Sequence, residues 1–344
     1  MINQLLSSPV DGSLNNLYLR LHRPEGIAWQ PLVGARSDSR VSVSGRGIAF
    51  EGRAFGKVDY RVVFAADEAG IWFWDIRLQG HGEEVDVVCG QDLGLAAKGA
   101  VRGNEAYMSQ YIDHKAFRDG RKGYIVCSRQ NQPQGGKLPY VQQGSLTGCR
   151  GYATDGFQFF GLSYKVTNEP EALGRESLAN EIYQYEFAYT ALQSERVKLD
   201  GEARIVFYGL FREDHPEPVA APEYGDAVEA AWRRYEAREE ETYAPAAPVP
   251  PLFPLGEPLQ PLPMTEEEIA SLFPKRVQEE RENGRLLSFF TEKYEHVVLR
   301  EKELKVERPH GIILMSGGND RVTEQVLSTT SYMYGVFNSQ MTVG

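Results

Sequence analysis

Aromatic and amide side chains are concentrated between residues 107 and 145, in the stretches YMSQYIDH (107–114), CSRQNQPQGG (127–136) and YVQQGS (140–145). Aromatic rings offer flat apolar faces to sugar rings, and amides supply both a donor and an acceptor to hydroxyl groups. The composition therefore predicts a carbohydrate-binding loop, with six candidate substrate-binding residues: Tyr111, His114, Arg129, Gln130, Asn131 and Gln132. A long loop whose polar groups satisfy one another would have the same composition, so both interpretations stay open.

Within this stretch, Asp113 and His114 are adjacent and could act as an acid–base pair. Adjacent residues on a strand point to opposite faces, whereas a loop could aim both at one ligand. The sequence contains no phosphate-binding glycine loop and no nucleophile elbow, and its six histidines are scattered. Its three cysteines lie far apart, without a CxxC pair. We therefore predict no catalytic residue, no metal site and no cofactor in this chain.

Charge and hydropathy narrow the classes of partner. The net charge is −11 and no basic stripe is present, which argues against a nucleic-acid partner because phosphate contacts need clustered Lys and Arg. The N-terminus lacks the features of a signal peptide, and no apolar run reaches membrane-spanning length. An odd number of widely spaced cysteines is typical of buried thiols in a reducing compartment. We expect a cytoplasmic protein that contacts no membrane.

The elements that must position these residues are predicted to be strands. Apolar and polar residues alternate at 17–22, and turn signals recur about every ten residues as far as 213. Residues 156–164 and 183–192 are also predicted to be strands, since aromatic residues dominate both. The prediction is a mainly β fold, a large two-sheet antiparallel β-sandwich (a super-sandwich).

Two tryptophans, Trp72 and Trp74, lie on one face of a predicted strand over residues 71–78. Such a pair could form a platform for a sugar ring. Tryptophans in this arrangement are more often core residues at the packing surface between two sheets, and we favour that interpretation.

Beyond the sandwich the pattern changes. Helical spacing of apolar residues over 226–243 predicts one helix, and the proline-rich, nearly uncharged segment 245–263 predicts a linker or strap. A capping sequence at Thr265 predicts a second helix, followed by strands at 297–299 and 311–315. We predict three regions: a sandwich (1–225), a helix with a Pro-rich linker (226–264), and the start of a second β-rich domain (265–344). An apolar, strand-like run reaches Gly344, so we expect the natural protein to continue.

The aromatic and amide stretches, together with RPHGII (308–313) and SYMYGVF (331–337), resemble the N-terminal part of large glycoside phosphorylases. The similarity is to the 1,2-β-oligoglucan phosphorylase group, which is related to the cellobiose phosphorylases of glycoside hydrolase family 94. It extends over nearly the whole chain and is most specific at 110–114, 129–136 and 327–344.

This resemblance implies a β-sandwich, a linker and further β structure that lead into an (α/α)₆-barrel catalytic domain beyond Gly344. The implied reaction cleaves β-glucan oligosaccharides with inorganic phosphate as co-substrate, and it needs one general acid and no cofactor. No catalytic acid of the family can be carried onto this chain. The implied partners are a β-glucan oligosaccharide and the downstream barrel, and a homodimer is a further expectation. The alternatives are a free-standing carbohydrate-binding β-sandwich and a purely structural one.

Overall fold

A computed structural model describes residues 1–3, 14–34, 36–185, 187–237, 242–246, 264–292 and 296–299. The chain divides into two compact units, Met1–Ala247 and Pro248–Gly344. The predicted strand at 311–315, the apolar run up to Gly344 and nearly all of the Pro-rich segment lie outside the described residues. The three domain boundaries drawn from the sequence stay a prediction.

The first unit is built mainly from strands: β1 (Asn16–Arg23), β2 (Gly26–Pro31), β3 (Arg40–Val43), β4 (Gly47–Ala54), β5 (Val58–Ala66), β6 (Ile71–Asp92), β7 (Ile112–Asp119), β8 (Gly123–Gln130), β9 (Tyr140–Ser145), β10 (Cys149–Asp155), β11 (Ala188–Ser194), β12 (Val197–Arg212) and β13 (Ala244–Pro245). Its helices are α1 (Lys98–Gly103), α2 (Glu105–Ser109), α3 (Gly156–Phe160), α4 (Tyr164–Thr167) and α5 (Gly225–Glu236), with a 3₁₀ turn at Glu171–Gly174. The predicted mainly β, antiparallel fold is confirmed.

The strands are joined into one 13-stranded sheet by β6, which is 22 residues long. On one edge, β6 pairs with β5 as far as Gln79 and with β1 from Glu84 onward. On the other edge it pairs first with β12 and then with β11, which closes a ring in the order β6-β11-β10-β8-β9-β12. The two predicted sheets are thus continuous with each other through one long strand.

The change of partners along β6 coincides with a local bend. Gly82 has a φ of 101°, a conformation that glycine adopts without steric cost. Opposite this point, β12 has a register shift between Lys198 and Asp200. A bulge of this kind increases the local twist and turns a strand. The two halves of β6, residues 71–79 and 84–92, are therefore able to pair with different strands.

A buried ion pair connects the second half of β6 to β1. Arg20 and Asp86 are direct cross-strand partners, and both side chains are fully buried. The guanidinium donates twice to the carboxylate, at 2.7 and 2.6 Å, and also to the carbonyl oxygen of Arg175 at 2.6 Å. Gln193 and His22 also contact the carboxylate, at 2.9 and 3.1 Å. Because every strong donor and acceptor is paired, the burial of these charges is tolerated.

The pKa of Asp86 reflects two opposing effects. Burial opposes ionisation, but the hydrogen bonds from His22 and Arg20 outweigh it and lower the pKa from 3.8 to about 2. The carboxylate is therefore ionised in the folded protein at neutral pH, and its stabilising contribution is lost progressively as the pH falls from about 3.8 to about 2.

One predicted strand is wrong in the structure, and another is shorter than predicted. Residues 156–160 form helix α3, because the Asp155 carboxylate accepts a hydrogen bond from the Phe157 amide at 2.7 Å and caps the helix. The aromatic rings of Phe159 and Phe160 pack against Tyr189, at 5.0 and 4.9 Å between ring centroids. The second strand, predicted for 183–192, begins only at Ala188.

The helix predicted for 226–243 is confirmed as α5, which begins at Gly225 after the N-cap residue Tyr224 and ends at Glu236. In the second unit, helix α6 (Glu266–Leu272) begins at the predicted capping box of Thr265 and Glu268. Strands β14 (Arg276–Glu282), β15 (Arg285–Thr291) and β16 (His296–Val298) form an antiparallel sheet. Its core contains Ile269, Leu286 and Phe289.

We predict that Asp86→Asn destabilises the protein by about 3 kcal/mol at pH 7, because it leaves the buried Arg20 guanidinium without a counter-charge. The matched control is Asp59→Asn. Asp59 forms the same two-bond pair with Arg53, at 2.6 and 2.8 Å, but on the surface. An exposed pair contributes at most about 1 kcal/mol. Urea denaturation measures both variants, and equal losses would contradict the role assigned to the buried pair.

Candidate functional site

The predicted loop is regular structure for most of its length. Residues 112–119 and 123–130 form the β7–β8 hairpin, and 140–145 form β9, which pairs with both β8 and β12. The six candidate residues lie at the open end of this hairpin, where β7 begins and β8 ends. The prediction of a loop is therefore wrong here. Amide and aromatic side chains are compatible with these strands because most of them are buried and hydrogen-bonded.

Three of the six candidates are buried. His114 faces Ser128 across the hairpin, with its Nδ1 2.8 Å from the Ser128 hydroxyl oxygen. Arg129 donates from Nε and Nη2 to the carbonyl oxygens of His215 and Pro216, at 2.7 Å each, and from Nη1 to the side chain of Asn131. Gln130 is fully buried, donates to the Met108 carbonyl oxygen at 3.1 Å and accepts from the Gln132 amide. These contacts tie the hairpin to neighbouring segments.

Burial lowers the pKa of His114 to about 4, so its imidazole is neutral at physiological pH. Its neighbour Asp113 lies on the opposite face of β7 and is partly exposed. The Asp113 Oδ1 atom is 3.7 Å from Nζ of Lys115. The two side chains therefore do not converge on one ligand, as the alternation of a strand requires.

Tyr111 and Asn131 are the candidates with exposed side chains, and Gln132 is half-buried. The Tyr111 hydroxyl donates to the Tyr107 hydroxyl at 3.0 Å, and the two rings meet edge to face at 5.0 Å. The backbone N–H of Asn131 donates to the backbone carbonyl oxygen of Tyr111 at 2.8 Å. This part of the surface offers aromatic edges and amides together, as a sugar site would. Binding by the six residues stays a prediction.

Trp72 and Trp74 are half-buried and pack against buried hydrophobic clusters, which agrees with the favoured interpretation as core residues. Both also line a cavity of about 590 Å³ together with Phe64 and Gln91, which the sequence pattern did not predict. In the part of the chain that the structure describes, no cluster of three or more His, Cys, Asp or Glu side chains could hold a metal ion. None of the described helices is long and apolar enough to cross a membrane.

Comparison with known families agrees with the fold. Residues 1–209 match the family model described as the SOGP N-terminal domain, and residues 273–344 match the glycoside phosphorylase supersandwich domain. The two matches define the class of the chain by two domain families, the second of which takes its name from glycoside phosphorylases. The first match covers more than half of the chain, so the chain belongs to the SOGP N-terminal domain family.

Among curated proteins, the chain is 41% identical over all 344 residues to the 1,2-beta-oligoglucan phosphorylase of Listeria innocua serovar 6a (strain ATCC BAA-680 / CLIP 11262). It spans 30% of the length of that relative. The resemblance inferred from the sequence is thereby confirmed.

Solved structures are similar only at a low level. The heparan sulfate lyase HepC from Pedobacter heparinus is 8% identical, with 55% of this chain and 23% of that chain covered and a TM-score of 0.26. The 4-alpha-glucanotransferase from Thermococcus litoralis is 11% identical, with 58% and 27% covered and a TM-score of 0.25. Similarity at these TM-scores carries no conclusion about this chain.

We predict that Arg129→Ala lowers the free energy of unfolding by about 2 kcal/mol, because it leaves the carbonyl oxygens of His215 and Pro216 without their donors. Arg118→Ala, on the exposed part of the same hairpin, is the matched control and should change the free energy by about 0.5 kcal/mol or less. Chemical denaturation of both variants tests this, and a stable Arg129→Ala protein would contradict it.

The pH dependence of stability tests the buried His114. Between pH 4 and about 6.5, His114 binds a proton in the unfolded chain but not in the folded protein. The contribution of the neutral imidazole to the free energy of unfolding therefore falls as the pH falls. The stability of the wild-type protein relative to His114→Gln should therefore fall by roughly 3 kcal/mol from pH 7 to pH 4. Burial raises the pKa of Asp155 to about 6, so this residue adds stability as the pH falls. Because Asp155 is present in both proteins, its effect cancels when the stability of the variant is subtracted from that of the wild type. A pH-independent difference would contradict a neutral, buried imidazole.

Proposed function

We propose that this chain is the N-terminal, non-catalytic portion of a glycoside phosphorylase that cleaves β-glucan oligosaccharides with inorganic phosphate to give glucose 1-phosphate. The observation that carries the proposal is the 41% identity over the whole chain to a protein named 1,2-beta-oligoglucan phosphorylase, of which the chain spans 30%. The supersandwich match over 273–344 supports the same assignment.

The chemistry of such an enzyme explains what this portion has to provide. In an inverting phosphorolysis, phosphate attacks the anomeric carbon while a single carboxylic acid protonates the departing oxygen. That acid would lie on a helical barrel beyond this chain. Two of the buried carboxylates are paired with arginines: Asp86 binds Arg20, and Asp75 accepts two hydrogen bonds from Arg204 at 2.8 Å each. These pairings support a scaffolding role for the sandwich.

The proposal extends to partners and location. The sandwich would pack against the catalytic barrel of the same polypeptide, and two copies would form a homodimer. The tyrosine and amide surface around Tyr111 and Asn131 is the proposed place where the sandwich approaches a sugar. Three free, buried cysteines, Cys89, Cys127 and Cys149, support a reducing compartment, the cytoplasm.

The test compares two polypeptides. Residues 1–344 incubated with 1,2-β-glucan oligosaccharides and phosphate should release no glucose 1-phosphate, because the general acid lies elsewhere. A polypeptide extended past Gly344 with the remaining coding sequence should release it in a phosphate-dependent manner. Release by residues 1–344 alone, or none from the extended protein, would refute the proposal.

A second candidate function is a free-standing carbohydrate-binding module, and the cavity beside Trp72 and Trp74 is the observation that favours it. A coding sequence that stops at Gly344, together with sugar binding and no phosphorolysis, would establish this alternative. Flat titrations with every sugar would favour a purely structural sandwich.

A further inference from the structure

The cavity beside the tryptophans is formed by both halves of β6. Trp72 and Trp74 belong to the first half and Gln91 to the second, so both halves of the strand contribute to its wall. Its volume is about 590 Å³, which falls within the range of roughly 300–1,000 Å³ for small-molecule sites. Four aromatic side chains contribute to its wall: Phe64, Trp72, Trp74 and Phe211.

The aromatic rings have fixed positions. The Trp74 ring packs on Phe64, its cross-strand partner, with 4.6 Å between ring centroids. Trp72 lies over Gly209, its partner on β12, and any Cβ at that position would be 2.0 Å from the indole ring. Only glycine leaves room for this close approach. The indole is therefore held against the backbone of β12 instead of projecting freely, and rings held in this way lose little entropy when a ligand stacks on them.

Three side-chain amides, those of Asn3, Gln91 and Gln143, form a hydrogen-bonded chain that we call the Gln91 relay. Gln91 donates from Nε2 to the Asn3 side chain at 2.8 Å and accepts from Gln143 Nε2 at 2.9 Å. Of these three side chains, Asn3 and Gln91 line the cavity. A side-chain amide has two N–H donors and an oxygen that accepts twice, so the Gln91 amide can donate once more and accept once more beyond the two bonds described. The polar side of the cavity therefore has hydrogen-bonding capacity to offer.

The charge of the lining selects the class of ligand. The described residues that line the cavity include no Lys, Arg or His, and their one acid is Asp67. The Asp67 carboxylate already accepts hydrogen bonds from the amides of Ala69 and Ile71, at 3.0 and 2.9 Å. The one other charged group among the described lining residues is the Met1 ammonium, which donates to the Ala96 carbonyl oxygen at 2.5 Å, so the described lining has one charge of each sign. A neutral molecule with flat apolar faces and hydroxyl groups fits both walls, and this is the chemistry of a sugar ring.

We propose that this cavity is a non-catalytic binding site for one end of a neutral oligosaccharide, with a sugar ring stacked on Trp72 and Trp74 and its hydroxyls bonded to the Gln91 relay. The site differs from the surface around Tyr111. The cavity itself is inferred from its geometry, and only the choice of a glucan as the probe rests on the proposed function.

Tryptophan fluorescence tests the site because the sequence contains only four tryptophans. The double variant Trp29→Phe/Trp232→Phe keeps Trp72 and Trp74 as the only indole emitters. Neither replaced residue lines the cavity: Trp29 packs on Tyr18, and Trp232 lies on helix α5. Titration of this 344-residue protein with 1,2-β-glucan oligosaccharides should give a saturable change in emission. No change up to about 10 mM sugar, well above the weakest useful affinity, would overturn the proposal.

Calorimetric titration of single variants then locates the sugar. Trp72→Phe and Trp74→Phe should each weaken binding by roughly threefold to tenfold, because a smaller ring stacks less well. Trp29→Phe is the matched control and should bind as the wild type does. Thermal unfolding identifies any variant that fails to fold, and Gln91→Ala provides an independent probe of the polar wall. Equal affinity in all four variants, or equal weakening by Trp29→Phe, would overturn the proposal.

The two proposals can fail separately. Binding at Trp72 is measured on residues 1–344, whereas phosphorolysis is measured on the extended polypeptide. An extended protein that produces no glucose 1-phosphate leaves the binding result intact. A failed titration alongside active phosphorolysis refutes the cavity site alone.

Discussion

The first unit depends on one strand that pairs with four others. Along its 22 residues, β6 pairs on one edge with β12 and then β11, which closes the ring, and on the other edge with β5 and then β1. The bend at Gly82 and the register shift in β12 make this exchange sterically allowed. The Arg20–Asp86 pair holds the second half of β6 to β1, where a slip of one residue would separate the two charges.

The amide-rich stretch illustrates how similar residues serve structure and recognition. Gln130 and Arg129 satisfy main-chain carbonyl groups around the β7–β8 hairpin, and they are buried. A buried amide without a partner would be costly, so these side chains are fixed in place by their bonds. Around Trp72 the setting differs, because the Gln91 amide lines a cavity and can form further hydrogen bonds beyond those with Asn3 and Gln143. An amide that faces a cavity beside aromatic rings is available to a ligand, whereas a buried amide is not.

Sequence patterns identified the parts of the fold that depend on local rules. The alternation at 17–22 predicted β1, and the capping box at Thr265 predicted α6. Residues 156–160 were mispredicted because β propensity of aromatic residues was outweighed by the Asp155 cap and by packing on Tyr189. The cavity could not be predicted, since Trp72 and Gln91 are distant in sequence and line one space only in the folded chain. Sequence patterns also cannot show which amides keep hydrogen-bonding capacity, because the partners of Gln91 come from distant parts of the chain.

The central claim is that β6 encloses a neutral sugar site between its two halves. A crystal structure of residues 1–344 grown with a 1,2-β-glucan oligosaccharide tests it most directly. We predict a sugar ring against Trp72 and Trp74 with a hydroxyl about 3 Å from the Gln91 side chain. A cavity filled by ordered water alone, with sugar bound elsewhere on the protein, would contradict the claim.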